Sequence, residues 1–511
     1  MVFLVPWIMK FLSRHRFLLA SFIAVWIVGM AITMSLIGRT EDVKAKYPDT
    51  TAMQFNSPRK GMETSNSITK AKAMKYCNPY NSVSMWQEGK VTVGNLSLAA
   101  VAILVRHGER MPLRRIRQQH LLGCRHPPPI PTGPRTLETP LQGFVSLVSK
   151  HPTLPFKNIF ATIPTHPNQT TCAEGHLTWD GVLQHVNMGA SLRQAYHSEP
   201  WNLLPKNWES HAVKLYSTVL SRTYQSALAF LHGFLPPFAP DKLRLVPSRD
   251  INFCLGPRCA CPRLKVYERM LGRKTRLMLK NHPAVSQLLD TLGEVLSPVG
   301  NATDFQNPRL IMDGLMGFVC QRKPLPCADE EHRRCATMEH VGNILSYVDW
   351  EGKQLSHDLS FRRSSVLKAY NLLARLHKGL RDALDGTSKV KFLFFSGHDI
   401  NLIPVASSLG FDDGVIPPYA SRIVFEAYSD GGQGRFARVL YNGKDVTRHT
   451  HFCKGMAVPT PGADAGLCPF GNLTTFVTKD VFKIFAAQSY AAACGLEGTR
   501  LTTTTSSDTG L

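Results

Sequence analysis

Four apolar runs stand out along the chain: "SLAAVAILV" at 97–105, "AVKLYST" at 212–218, "KVKFLFFS" at 389–396 and "RIVFEAY" at 422–428. Their length and their β-branched and aromatic content predict strands. Gly431 to Gly434 and then "RFARVLYN" follow the last run, which predicts a hairpin. Between the runs the apolar period becomes helical. "TWDGVLQHVNMGASLRQAY" begins at Thr178, "TYQSALAFLHGFL" follows Arg222, and "SSVLKAYNLLARLHKGLRDAL" starts at Ser364. Strands alternating with helices predict an α/β core sheet with helices on both faces. Residues 240–340 are basic, cysteine-dense and less regular, and they read as part of a smaller, mostly helical cap inserted around 120–340.

One earlier apolar segment differs in kind. Residues 17–37, "FLLASFIAVWIVGMAITMSLI", run for 21 positions without a charge, long enough to cross a bilayer as a helix. Lys10, Arg14 and Arg16 precede it, which favours a cytoplasmic tail over 1–16. The competing reading, a cleaved signal peptide, calls for a shorter apolar core with a small-residue cleavage site behind it. The run therefore reads as an uncleaved signal anchor. Residues 38–76 are polar, without sustained periodicity, and read as a lumenal stem. The folded body is expected over 77–495, and 496–511, with "RLTTTTSSDTG", as a disordered tail.

The chain holds 59 Lys+Arg against 37 Asp+Glu, a formal charge of +22. Only Lys10, Arg14, Arg16 and Arg39 fall within 1–40, so the excess belongs to the body. Nucleic acid, anionic lipid and acidic glycan are the natural partners of such a surface; a generally basic, soluble exterior is the plainer reading. All 12 cysteines lie between Cys77 and Cys494, and an even number in a translocated chain implies disulfides. Glycosylation acceptor triplets begin at Asn95, Asn168, Asn301 and Asn472. Anchor, cysteines and acceptors together predict a lumenal or extracellular body. That sets nuclear DNA aside and leaves the membrane surface and acidic glycans.

The polar residues cluster where strands end. Arg106 and His107 follow the first run, Arg222 lies just past the second, and His398 and Asp399 follow "KVKFLFFSG". Ligands of open α/β sheets bind outside the carboxyl ends of strands, so Arg106, His107, Arg110, Arg222, His398 and Asp399 are expected to converge. Three guanidiniums and an imidazole can hold the non-bridging oxygens of a phosphate and neutralise charge that develops during its transfer. No metal is needed in that role. Cationic neighbours disfavour the imidazolium, so His107 is available as a nucleophile that forms a phosphohistidine. Asp399, raised by the charge of the phosphate, can protonate the leaving oxygen and then activate water. Each motif alone has a plainer reading: an Arg-His pair as a solvated loop, and Asp399 as a helix cap.

Arg106-His107-Gly108-Glu109-Arg110-Met111-Pro112 fits the signature R-H-G-x-R-x-P, and Ser396-Gly397-His398-Asp399 a second signature of the same family. Arg222-Thr223 with Gln225-Ser226-Ala227 fits the region of its third arginine, and Gly175, Leu177-Thr178 and Gly181 a further segment. On these residues, in this order, the chain resembles the histidine acid phosphatases over roughly 95–490. Asn401 departs from the pattern, since many members carry Thr two residues after the aspartate. The resemblance implies a histidine-phosphatase-like core sheet beneath a helical cap. It makes His107 the nucleophile and Asp399 the proton donor. Arg106, Arg110, Arg222 and His398 become the phosphate ligands, and no cofactor is required. "SRTYQSALAFLHGFLP", "YASRIVFEAY", "VLYNGKDVTRHTHFC" and the Cys254, Cys259, Cys261 cluster narrow the resemblance to Golgi type II membrane members of the family. Those remove the 2-O-phosphate from xylose in the linkage region of proteoglycans. The implied partners are the phosphorylated linkage glycan on its core protein and other Golgi glycan-modifying enzymes. A broad-specificity acid phosphatase or an inositol-polyphosphate phosphatase keeps the chemistry and changes the substrate. An inactive glycan-binding relative is the alternative from another class, and the intact set of six residues stands against it.

Other signals are weaker. Cys259, Cys261, Cys320, Cys327 and Cys335 lack the paired C-x-x-C spacing of a zinc site and read as disulfide cysteines. His332 and His340 read as surface residues, and 431–434 as a turn rather than a phosphate loop. Arg114, Arg115 and Arg117 either steer an anionic glycan or form a solvated basic face.

Overall fold

Strand β1 (Ser97–Arg106) is buried along nearly its whole length, because the sheet is covered on both faces. Its side chains divide with the period of a strand. Val101, Ile103 and Val105 enter one hydrophobic cluster, and Ala100, Ala102 and Leu104 enter the other. The computed structural model describes residues 59–79, 87–91, 96–126, 140–254, 259–298, 305–329, 334–432, 434–455 and 466–496. Thr64–Leu511 forms one compact unit, and the sheet, cap and site all lie in it.

In chain order the elements are helix α1 (Arg59–Cys77), β1, α2 (Pro140–Lys150), α3 (Trp179–His197), β2 (Val213–Thr218), α4 (Ser221–Phe234), β3 (Leu245–Ser248), α5 (Pro262–Lys280), α6 (Pro283–Leu296), α7 (Pro308–Cys320), α8 (Met338–Ser356), α9 (Leu359–Leu384), β4 (Phe392–Gly397), α10 (Asp399–Leu409), β5 (Arg422–Ser429), β6 (Arg435–Tyr441), β7 (Lys444–Asp445), β8 (Cys468–Pro469), α11 (Phe470–Thr478) and α12 (Tyr490–Cys494). The sheet order is β3-β2-β4-β1-β5-β6-β7, with β8 beside β6. Strands β3, β2, β4 and β1 run parallel; β5 and β6 are antiparallel. Each expected strand is present. Strand β3 was not expected, because "LVPS" is short and holds a proline, which an edge strand tolerates.

Helices α3 and α4 cover one face, where Phe230 of α4 stacks on Phe394 of β4 at 4.6 Å between ring centroids. Helix α9 covers the other face through Leu372, Leu373, Leu376 and Leu380. A third cluster forms the cap from α6, α7 and α8, together with Ala73, Tyr76, Met111, Ile116 and Leu122. The expected cap interval of 120–340 is therefore too wide, because α2, α3 and α4 belong to the sheet layer. It is also too short at its far end, since Val341, Ile344, Leu345 and Val348 of α8 pack into the cap core. The expected stem of 38–76 likewise yields ground to the body: α1 ends inside the cap core, with Ala73 and Tyr76 buried.

All 12 cysteines pair: Cys77–Cys320, Cys124–Cys172, Cys254–Cys259, Cys261–Cys494, Cys327–Cys335 and Cys453–Cys468. Cys77–Cys320 joins α1 to the end of α7. Among the described residues no helix is long and apolar enough to cross a membrane. The anchor expected at 17–37 lies outside them, as do Asn95, Asn301, His332 and 497–511. Asn168 sits on an exposed turn, its Oδ1 accepting from Thr170 N at 2.8 Å, while Asn472 is half-buried on α11. His340 closes a capping box with Thr337 at the start of α8.

Candidate active site

Register brings the site together. Arg106 of β1 lies opposite Gly397 of β4, and Ser217 of β2 opposite Ser396. The residues that follow these strands share one end of the sheet. His107 N–H donates to the Gly397 carbonyl at 2.9 Å, and the His107 and His398 rings meet edge to face at 5.4 Å. All six residues expected to converge do so.

His107 is buried. Its Nδ1 lies 2.8 Å from the Gly108 carbonyl oxygen. A carbonyl only accepts, so Nδ1 carries the proton and Nε2 keeps its lone pair. Burial, then the Arg222, Arg106 and Arg110 guanidiniums, hold the imidazole well below its ordinary pKa. The following backbone is tightly seated. A Cβ on Gly108 would stand 2.4 Å from the Gly181 carbonyl oxygen, so only glycine allows α3 to approach the loop this closely. Ser226 Oγ accepts from Gly108 N at 3.1 Å, and Gln184 Oε1 from Glu109 N at 2.8 Å.

The guanidiniums are held in different ways. Arg106 Nη1 donates to the Pro417 carbonyl and Nη2 to Tyr76 Oη at 3.1 Å; its Nη2 lies 3.7 Å from Asp399 Oδ2. The group also stacks over the Tyr419 ring at 4.5 Å. Burial alone would discharge it, but Tyr76, Asp399 and Tyr419 outweigh burial. Arg110 Nη2 pairs with Asp313 Oδ1 at 2.8 Å, and Asp313 Oδ2 also accepts from Leu113 N at 2.7 Å. Arg222 has no such partner among the described residues. Burial and the nearby Arg110 charge pull it down to about 10. The buried Nε atoms of Arg106, Arg110 and Arg222 all lack an acceptor among the described residues. A site so rich in buried donors is built for an anion.

His398 and Asp399 open α10. Asn401 Oδ1 accepts from His398 N at 2.8 Å, while its Nδ2 donates to the Ile251 carbonyl at 2.7 Å. The residue that departs from the family pattern thus fixes the turn it stands in. His398 Nε2 lies 2.9 Å from Thr218 Oγ1; burial and Arg222 keep its ring neutral. Burial would raise the Asp399 carboxyl, but Arg106, Arg110 and His398 outweigh it and hold it below the usual carboxylate range. Asp399 in the free site is ionised.

The description "histidine phosphatase superfamily (branch 2)" matches residues 97–299 and 362–442, more than half of the chain. The chain belongs to this superfamily. Human 2-phosphoxylose phosphatase 1 is similar to it, 31% identical over 433 residues, covering 83% of this chain and 87% of the relative. The zebrafish (Danio rerio) protein of that name is 31% identical over 446 residues, covering 82% and 86%. Human lysosomal acid phosphatase is 28% identical over 334 residues, covering 61% and 71%. This histidine phosphatase is a phosphatase hydrolase with its signature loop intact and buried.

Sequence reasoning missed Asp313, Tyr76, Tyr419 and Thr218 in this histidine phosphatase site. Asp313 left a signal: it is the lone acid in the apolar helix "PRLIMDGLMGFVC", and a buried charge needs a partner. Tyr76 lies in a segment without a motif, and Tyr419, which opens the stretch "YASRIVFEAY", had no role assigned to it; only the fold brings the two to Arg106. Arg114 and Arg115 are exposed, whereas Arg117 is held to α6 through Leu296 and Glu294 carbonyls. The cysteines read as disulfides are disulfides, and no group of metal-ligating side chains occurs among the described residues.

Proposed function

We propose that this protein hydrolyses the 2-O-phosphate of xylose in the linkage region of proteoglycans, from the lumenal side of a Golgi membrane. The chemistry rests on one observation: a buried imidazole with Nδ1 tied to a backbone carbonyl and three guanidiniums near enough to keep it neutral. The substrate rests on similarity to proteins named 2-phosphoxylose phosphatase 1 along most of both chains. The compartment rests on the uncharged 17–37 run and the six disulfides. Asn95, Asn168, Asn301 and Asn472 are the expected glycan acceptors.

Arg106, Arg110, Arg222 and His398 seat the phosphoryl oxygens. His107 Nε2 attacks phosphorus in line with the ester oxygen; the P–N bond forms and the P–O ester bond breaks. The bound dianion offsets the guanidiniums that depress Asp399, so the carboxyl takes up a proton and delivers it to the leaving sugar oxygen. In the second step Asp399 accepts a proton from water, whose oxygen displaces His107. Inorganic phosphate leaves, and the imidazole returns neutral. The deciding comparison sets initial rates on a phosphoxylosyl linkage glycan against those on p-nitrophenyl phosphate and inositol hexakisphosphate. A kcat/KM at least tenfold higher on the glycan is expected; equal or better activity on either simple ester contradicts the substrate.

A further inference from the structure

A second concavity lies far from the phosphate site. It is a groove of about 1120 Å³ between α2, the ends of α3 and α4, and the loop at 202–206. Helix α3 links the two places. His185 Nε2 lies 3.1 Å from the Arg106 carbonyl oxygen, and His197 in the groove lies on the same helix, roughly 18 Å further along at 1.5 Å per residue.

The lining is one-sided in charge. Lys150, Arg193 and Lys206 stand in it, and among the described residues no aspartate or glutamate lines it. All three are exposed, and none has an ion-pair partner among the described residues. Burial holds His197 and His232 down to about 4, so the lysines and the arginine supply a charge that persists above acidic pH. Between the cations lie groups that carry no charge but can bond or stack. Gln194 offers an amide, Asn202 its side-chain carbonyl oxygen, since its Nδ2 donates to Glu199 Oε1 at 2.6 Å, and half-buried Phe238 offers a ring beside Pro237.

We infer that this groove is a binding site for an acidic saccharide, a chain of sugars bearing carboxylates or sulfates. Separated cations match charges repeated along such a chain. Amides match its hydroxyls, and the Phe238–Pro237 surface matches the apolar face of a sugar ring. An acidic peptide would answer the charge and the amides but brings no sugar ring to the Phe238–Pro237 surface. The inference rests on the proposed glycan substrate only for the setting in which such a ligand is met.

The test is fluorescence anisotropy of a labelled heparin-derived hexasaccharide on detergent-solubilised full-length protein. Wild type is expected to bind it, to ignore a neutral maltohexaose, and to bind more weakly as salt rises. The triple variant Lys150→Ser, Arg193→Ser, Lys206→Ser is expected to lose at least tenfold in affinity. Its hydrolysis of p-nitrophenyl phosphate should stay at the wild-type rate, which also reports that it folds. Unchanged affinity in the triple variant overturns the inference. So does displacement of the hexasaccharide by inorganic phosphate, which would place it in the catalytic site, or equal binding of a polyglutamate of matched charge. The groove is read by binding of an unphosphorylated hexasaccharide and the proposed substrate by relative rates on the phosphoxylosyl glycan and simple esters, so failure of the one and failure of the other give different results.

Discussion

Replacing Asp313 with asparagine tests what the cap contributes to this site. Both partners are buried, Arg110 at 5% and Asp313 at 8% exposure, and the carboxylate serves Arg110 with one oxygen and Leu113 N–H with the other. A carboxamide has one oxygen, so one of those donors must face an NH2 group. Leaving a buried donor unmet costs about 1–3 kcal/mol, and removing one member of a buried ion pair about 3–5 kcal/mol. The effects overlap, and a net loss of about 3 kcal/mol is expected, a fall in Tm of about 3–6 °C. Under the proposed mechanism, bound phosphate returns the missing negative charge beside Arg110. Saturating phosphate should therefore raise the Tm of Asp313→Asn more than it raises that of wild type. Thermal melts of both proteins with and without phosphate measure this. An unchanged Tm, or an equal phosphate shift in both, refutes the view that Asp313 stands in for the substrate's charge.

Gly108→Ala should reduce kcat/KM by about 100-fold, because a loop displaced by an ångström misplaces His107, the proposed nucleophile; the new Cβ would stand 2.4 Å from a backbone oxygen of Gly181. A rate within threefold of wild type would show that the loop has room. Glu109 is buried, and burial, then Asp180, push its carboxyl up to about 8 from 4.5. A raised carboxyl contributes stability below the unfolded pKa and loses it as pH rises toward the folded one. Glu109→Gln should therefore match wild type near pH 4 and exceed it at pH 7.5 by on the order of 3 kcal/mol. Denaturation curves at the two pH values check this, and a pH-independent difference contradicts it.

Where the chemistry was written in consecutive residues, it was legible in the sequence. Arg106 to Pro112 and Ser396 to Asp399 each follow an apolar run, so strand ends and motifs could be read together. The third arginine, Arg222, needed both the run before it and the family pattern. What escaped was contributed across the fold. Asp313 reaches Arg110 from a helix some two hundred positions later, and Tyr76 reaches Arg106 from a segment that looks like a polar stem. Those contacts depend on the packing of the cap, whose core mixes α1, the loop after β1 and three later helices. Apolar periodicity shows that a helix has a buried face, not which surface it meets. The cap boundary failed for the same reason: α3 and α4 have helical patterns indistinguishable from those of cap helices.

The proposed mechanism turns on His107 as the group that takes the phosphoryl. Rapid acid-free quenching of the full-length protein with 32P-labelled substrate, followed by peptide mapping under alkaline conditions, tests it most directly. The label should appear on the peptide containing His107, be lost in acid, vanish in His107→Ala, and persist longer in Asp399→Asn when p-nitrophenyl phosphate is the donor. Label on another residue, or phosphate release by His107→Ala at the wild-type rate, would contradict the account.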